Sequence, residues 1–489
     1  MSIPVSGLIL IPLTLAVFCF SSYLAECAIF LAVLQGAALV NLGGGFVVGL
    51  SPYFFATALV ASRVIPQWIT GRMRFFPGEQ TASLVRVLAA FVLWCVVSAF
   101  VLPVLFNGSP VDSARAGVDQ GYYLQSPLHW SPSNAGQAGY IILDFLLVLC
   151  LLQVSPQMGR LQRLVNAFSW SGVFVVAVGA YQIACHRLGL PFPSWLFNSN
   201  EAWAQAPEQL IGMGFWRMSA TFVEPSSAGA FLSAWSVFEL SLAISEADRK
   251  GWHWLCAAVG SVMLVETTST TGYVTAAIMW AVMVWDCCKS ILRHGLIKIK
   301  ATVAVFSLAG GALVVLTVMP QTQSLLDSVL LTKGTSMSAL HRTATFARAV
   351  GVFQGSWGLG VGLGSNRAMS VFFYILSNVG IPGTILFFWL LSQLYIQVRA
   401  QLRTPCRNRA GEVFLRALGG AFIANILALL VSGAEITQPH LWILLGMLLA
   451  TIRYNWLMEM RLCGPAANAA PVPIPCYVQA GSRSTISMR

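Results

Sequence analysis

What this chain can fold into is constrained most by its repeated apolar stretches, each long enough to cross a bilayer. A helix rises 1.5 Å per residue, so about 20 apolar residues span the hydrocarbon core. Such stretches fall near 84–105, 138–155, 165–185, 227–245, 253–267, 272–287, 301–319, 371–395, 414–432 and 441–457. The first 62 residues hold two or three more, interrupted by Gly43, Gly44 and Gly45. The expected fold is therefore an all-α polytopic membrane protein with about 12–13 transmembrane helices. Composition agrees: 57% of residues are hydrophobic and 9% charged, where a soluble domain carries about a quarter charged.

Charge orients the bundle. Lys and Arg collect in short cytoplasmic loops, and here basic loops alternate along the chain in a register consistent over ten consecutive spans. Basic loops hold Arg63, Arg72 and Arg74; Arg160 and Arg163; Arg249 and Lys250; Lys289, Arg293, Lys298 and Lys300; and the run Arg399–Arg416. This accounts for the net charge of +11 without nucleic acid, and makes the lipid bilayer the first partner. The loops left over are external: two short ones at Thr267–Gly272 and Ser432–His440, and three long ones at about 106–137, 186–226 and 320–370. The chain reads as one integral membrane domain, 1–461, with an Ala/Pro/Ser-rich cytoplasmic tail, 462–489, expected to be disordered. The N-terminal apolar run reads as a first span rather than a removed signal. Eleven Cys without CxxC spacing or a His cluster give no expectation of disulfides, a metal site or another cofactor.

Against that orientation, the external stretch 333–383 carries too much positive charge. It holds Arg342, Arg348 and Arg367 beside His341. An amphipathic helix is expected over Ser336–Gln354, with His341, Ala344 or Thr345, and Arg348 along one face and Arg342 about 100° to the side. The Gly-rich run that follows ends in Asn366 and Arg367, and its glycines allow close backbone approach to a ligand. It lacks the Gly-Lys-Ser/Thr ending of a P-loop. A second candidate stretch, GFWRMSATFVEPSSAG, carries Arg217 and Glu224, with Pro225–Ser226–Ser227 expected to open a helix whose N-terminal amides face outward. Arg187 adds a further external cation. Snorkelling to lipid phosphate, or a plain N-cap with a solvated Arg–Glu pair, would explain one or two of these residues but not the set.

Guanidinium forks onto phosphate oxygens with two donors and stays charged at every relevant pH. A membrane-level Arg cluster therefore suits a lipid-linked pyrophosphate, whose charge it would stabilise as a glycosyl–phosphate bond breaks. Candidate bases on the external side are Glu224, Glu435 and Asp327, with His341 and His440 as alternatives. Asp144, Glu239 and Glu266 lie in or near spans and are candidates by location. The hydroxyl run Thr267–Thr271 reads equally as sugar ligand or helix cap.

Taken in order, RMSATFVEPSSAG, TTSTTGY, the helix with His341–Arg348, WGLGVGLGSNR and NVGIPG resemble the O-antigen polymerase and ligase superfamily, the Wzy-like enzymes of bacterial surface polysaccharide assembly. The resemblance covers about 210–395. It implies a GT-C-like bundle with large periplasmic loops in the bacterial inner membrane, and a metal-independent glycosyltransferase acting at the periplasmic face. By position, Arg217 and Arg342 would engage undecaprenyl pyrophosphate, with Arg348, Arg367, Asn366 and Arg187 as further substrate contacts and Glu224, Glu435 or His341 as catalytic groups. Ligases of this superfamily carry a His-Asn pair about eleven residues before the glycine that corresponds to Gly380. Met369 and Ser370 stand there, which favours a repeat-unit polymerase, with undecaprenyl-pyrophosphate-linked oligosaccharides as substrates and a chain-length co-polymerase as a possible partner. The competing expectations are a ligase onto lipid A core or protein, and a flippase of lipid-linked oligosaccharide.

Overall fold

The computed structural model describes residues 1–43, 48–71, 79–112, 125–154, 157–201, 211–212, 215–245, 251–294, 337–403, 409–433 and 435–462. The expected span at 301–319, Asp327 and the tail from 463 onward lie outside these residues. The helices are α1 Val5–Phe20, α2 Leu24–Leu31, α3 Pro52–Ile69, α4 Glu79–Leu105, α5 Pro132–Val154, α6 Met158–Leu188, the single turn α7 Ser194–Phe197, α8 Pro225–Ile244, α9 Trp252–Glu266, α10 Thr270–His294, α11 Met337–Gly355, α12 Val371–Arg403, α13 Arg409–Ser432 and α14 Pro439–Leu462. Seven of them (α4, α5, α6, α8, α12, α13, α14) are long and apolar enough to cross a membrane, and α1, α9 and α10 contain shorter apolar helices. The protein is thus a mostly helical, multi-pass membrane protein.

Three small antiparallel hairpins complete the fold: β1 Val40–Leu42 with β2 Val48–Leu50, β3 Pro110–Val111 with β4 Ser126–Pro127, and β5 Ile211–Gly212 with β6 Phe215–Trp216. All three sit in connections at the same end of the bundle. That end is where α3, α5, α8, α12 and α14 begin and where α4, α6, α9 and α13 finish. Arg63, Arg160, Arg163, Arg403, Arg409 and Arg416 lie towards the other ends of their helices. The two poles of the bundle therefore differ in charge in the sense that membrane orientation requires.

At the centre, α8 packs against α9, α10 and α13, α14 packs against α5 and α13, and α12 packs against α4. The spans bury their polar side chains against one another. Tyr53 on α3 donates its hydroxyl to Asp144 Oδ1 on α5 at 2.7 Å. Glu239 on α8 accepts from Ser169 at 2.5 Å and meets His253 Nδ1 at 2.6 Å. An ionisable side chain in a span carries a large desolvation penalty, and each of these has found a partner inside the protein.

α12 is broken at Gly380, where φ is 63° and ψ is −161°. The break frees carbonyls on the preceding turn, and three donors take them. Val361 N–H donates to Ser377 O at 2.9 Å, Gly362 N–H to Asn378 O at 2.7 Å and Trp94 Nε1–H to Val379 O at 2.8 Å. Ile381 N–H returns the contact by donating to Gly358 O at 2.8 Å. The Gly-rich run can come this close because Gly358, Gly360, Gly362 and Gly364 all take positive φ, between 79° and 102°. Gly360 presses on Asn378 and Gly380 of α12, Gly362 on Pro103 and Ser98 of α4, and Gly364 on Gln137 and Ser133 of α5.

Candidate functional site

At the pole opposite the basic loops lies a cavity of ≈ 180 Å³. Its wall is assembled from the first turns of α3 and α8, the start of α14, Gln137 and Tyr140 of the second and third turns of α5, the end of α13, the connection after α2 and the segment with Arg367 and Met369. Helix N-termini from several elements thus converge here, and unpaired amides at such ends favour negative charge.

Glu224 is the residue before α8, with Pro225 at the first helical position as the sequence predicted. Its Oε2 accepts from Ser226 Oγ at 2.9 Å. Both Glu224 and Ser226 line the cavity. Arg217, five residues after β5, donates Nε–H to Thr268 Oγ1 at 3.1 Å. Arg342, on α11, reaches Ser432 Oγ with Nη2 at 3.4 Å, and Ser432 is on the cavity wall. Burial pulls both guanidinium groups below their ordinary value, while Glu224 pushes both back up. Tyr273 also raises Arg217, and Arg342 lowers it further. Each arginine thus feels the charge of Glu224, which lines the cavity, and Arg217 also feels that of Arg342. Guanidinium stays charged under such shifts, so the pair presents concentrated positive charge partly withdrawn from water.

The loop that carries Arg217 is held on three sides. Met218 N–H donates to Glu266 O at 3.2 Å, Ser219 and Ala220 N–H donate to Gln182 Oε1 at 3.1 and 2.8 Å, and Thr221 Oγ1 donates to Val33 O at 2.6 Å. Ala220 and Thr268 take positive φ, 52° and 44°. A β-branched residue in that region is strained, and here the strained Thr268 is the one that accepts from Arg217. Strain of this kind collects at functional sites.

Glu435 sits in the connection between α13 and α14, on the cavity wall. Gln137 Nε2 of α5 donates to its Oε2 at 3.1 Å, and Thr437 Oγ1 donates to Gln137 Oε1 at 2.8 Å. Burial raises its carboxyl above the ordinary Glu value, opposed by the Gln137 bond, by the Arg367 charge and by Thr437. Burial dominates, so this carboxyl holds its proton to higher pH than a solvated one.

The structure does not gather every residue the sequence singled out. Glu224, Glu435 and Arg367 line the cavity, Arg342 reaches it through Ser432, and Arg217 is held off the lining by Thr268. Arg348 turns instead to Asp112, Nε to Oδ2 at 2.8 Å. Asn366 is buried, accepts from Asp112 N–H at 3.0 Å and donates to Ser377 Oγ at 2.9 Å. Arg367 N–H donates to Asp112 O at 2.7 Å. Asp112 therefore ties Arg348, Asn366 and the Arg367 segment together, and two of these shape the wall from behind. Arg187, exposed at the end of α6, lies 3.7 Å from Glu266 and away from the cavity lining. His341 is on α11, as expected, but its side chain lies outside the described residues.

Several wall residues were not singled out from sequence: Gln35, Tyr53, Phe54, Gln137 and Tyr140. A signal existed for two of them. Gln137, Tyr140 and Asp144 follow i, i+3, i+7 spacing on α5, which is a polar stripe on one face of a membrane span. Met369 is also on the wall. Among the described residues no group of three His, Cys, Asp or Glu is placed to hold a metal ion. The chain matches no protein-family model and no curated protein sequence.

Proposed function

We propose that this protein is a bacterial surface polysaccharide polymerase acting at the periplasmic face of the inner membrane, with a GT-C-like arrangement of spans. The observation that carries the reading is that Arg342 reaches Ser432 on a cavity wall that also holds Glu224 and Glu435, while Arg217, like Arg342, feels the charge of Glu224. Two guanidinium groups at membrane level fit the pyrophosphate of an undecaprenyl-linked glycan donor. A carboxylate beside the cavity fits the base that an attacking sugar hydroxyl needs.

In this reading the acceptor hydroxyl oxygen attacks the anomeric carbon of the donor glycan. The bond between that carbon and the phosphate oxygen breaks, and undecaprenyl pyrophosphate leaves with the bonding electron pair. Arg217 and Arg342 stabilise the charge that gathers on its phosphates. Glu435 takes the hydroxyl proton, and Gln137 fixes the orientation of the accepting carboxylate. Glu224 keeps the two arginines in place between turnovers. Holding two lipid-tethered substrates in one groove supplies rate by proximity. Met369 in place of a ligase histidine supports polymerase over ligase.

The test uses the full-length protein in nanodiscs with lipid-linked repeat units alone, and resolves the products by chain length. A ladder of oligomers supports the polymerase. Product that forms only after a lipid A core acceptor is added supports a ligase instead. Movement of repeat units across a vesicle membrane without any new glycosidic bond would sink both. Full activity in well-folded Arg217→Ala and Arg342→Ala would falsify the pyrophosphate assignment.

A further inference from the structure

The cavity and its rim differ in chemical character. The rim is cationic through Arg217 and Arg342. On the wall, among the described residues, two are acidic (Glu224 and Glu435) and one is basic (Arg367), and Arg367 acts electrostatically on Glu435. The rest of the wall is uncharged. Four side-chain amides line it, Gln35, Gln137, Asn200 and Gln438, together with a row of hydroxyls. An amide both donates and accepts, which is the capacity that neighbouring sugar hydroxyls require; Gln137 is already bonded to Glu435 and Thr437 and Gln35 to His440, so these two offer their remaining capacity. Two aromatic rings on the wall, Phe54 and Tyr140, stack with centroids 3.9 Å apart and planes 13° apart. An aromatic face carries negative potential and attracts positively polarised C–H groups, such as those on one face of a pyranose.

We propose that this wall is the acceptor-sugar subsite, and that it selects an uncharged, hydroxyl-rich sugar over a uronic acid. The proposal rests on the polymerase reading for the word acceptor, but the recognition itself does not. A carboxylated sugar would bring a third negative charge beside Glu224 and Glu435. Arg367, the basic residue on the wall, is already set against Glu435, so a buried sugar carboxylate would have to compete for it or lose its hydration without replacement. A neutral sugar meets paired donors and acceptors on one side and stacked rings on the other. Its terminal hydroxyl would lie beside the Glu435–Gln137 pair, the arrangement a transferable proton needs. The cation-rich rim remains for the pyrophosphate, so the two halves of the site divide by charge.

Saturation-transfer NMR on the full chain in nanodiscs tests this with methyl β-glucoside and methyl β-glucuronide as probes. The glucoside should receive ring-proton saturation, and the glucuronide signal should be about tenfold weaker. Tyr140→Ala should remove the glucoside signal, whereas Tyr140→Phe, which keeps the stack on Phe54, should retain it. Gln438→Ala leaves the rings alone and should still weaken the glucoside. Equal signals from both glycosides, no signal from either, or signals unchanged by Tyr140→Ala and Gln438→Ala overturn the proposal. A second arm titrates farnesyl pyrophosphate, whose binding should be lost in Arg217→Ala and Arg342→Ala and kept in Gln438→Ala. Glucoside binding without pyrophosphate binding would remove the polymerase reading and leave the sugar site. The reverse would remove the sugar site alone.

Discussion

Gln137 and Glu435 are nearly 300 positions apart in sequence, yet the amide of one donates to the carboxylate of the other at 3.1 Å. Thr437 closes the group by donating to the same glutamine at 2.8 Å. A span and an external connection are thereby locked together at the one carboxylate that burial has shifted upward on the cavity wall.

That shift gives opposite pH trends for activity and stability. The folded state binds the Glu435 proton more tightly than the unfolded chain, so its contribution to stability is present below the unfolded pKa. It is lost as pH rises through the raised folded value. A base must be ionised, so turnover should rise through the same window. Glu435→Gln should lower kcat about 10²–10⁴-fold, leave pyrophosphate binding in place and raise the melting temperature at neutral pH. Rate–pH profiles and thermal melts of both proteins check this. An unchanged kcat would reassign the base.

In the proposed reading Arg217 and Arg342 hold the same pyrophosphate, so their losses should not be independent. Each Ala variant should weaken farnesyl pyrophosphate binding about 10–100-fold, the worth of a hydrogen bond to a charged group. The double variant should lose less than the sum, because each guanidinium also relieves the other of its influence through Glu224. Lys at either position should restore only part, having no planar fork. Isothermal titration of the five variants beside the unaltered protein decides it.

The helical, membrane-spanning character of the chain was legible because apolar length and loop charge are local quantities. Pro225 opening a helix and α11 at Met337–Gly355 were legible for the same reason. The cavity was not, since its wall draws on the connection after α2, α3, α5 and the connection before α14, which no local pattern links. Arg348 and Asn366 illustrate the limit from the other side. They look like ligand contacts in sequence, but Asp112, in the connection after α4, binds both. A side chain's partner is a tertiary fact, and charge on the unexpected side of a membrane says only that some partner exists.

Gly380 shows what the kink in α12 requires. A Cβ there would stand 2.3 Å from Leu359 C and O, at a φ of 63° that side chains rarely adopt. Gly380→Ala should destabilise the fold by about 1–3 kcal/mol from backbone strain alone, with the clash adding to it. Gly419→Ala, a site in α13 where a Cβ meets nothing within 4 Å, serves as the control. Thermal melts followed by tryptophan fluorescence should separate the two. Equal melts would mean that the segment around Leu359 can move aside.

The Tyr53–Asp144 bond leads to a prediction of a different kind, because it lies between two helices and beneath the cavity. Tyr53 lines the wall, while Asp144 is fully buried, with Oδ1 taken by the phenol and Oδ2 lacking a hydrogen-bond partner. Removing the hydroxyl in Tyr53→Phe would leave the whole carboxyl without a donor, which costs about 1–3 kcal/mol for a buried polar group. Asp144→Leu would strand the phenol in the same way. The double variant removes both polar groups at once, so its loss should fall well short of the sum of the singles. Thermal midpoints of the four proteins give the coupling directly. If the pair serves only to hold α3 against α5, the double variant should recover glucoside binding along with stability. If stability returns while glucoside binding does not, the Asp144–Tyr53 bond positions the cavity wall for its ligand.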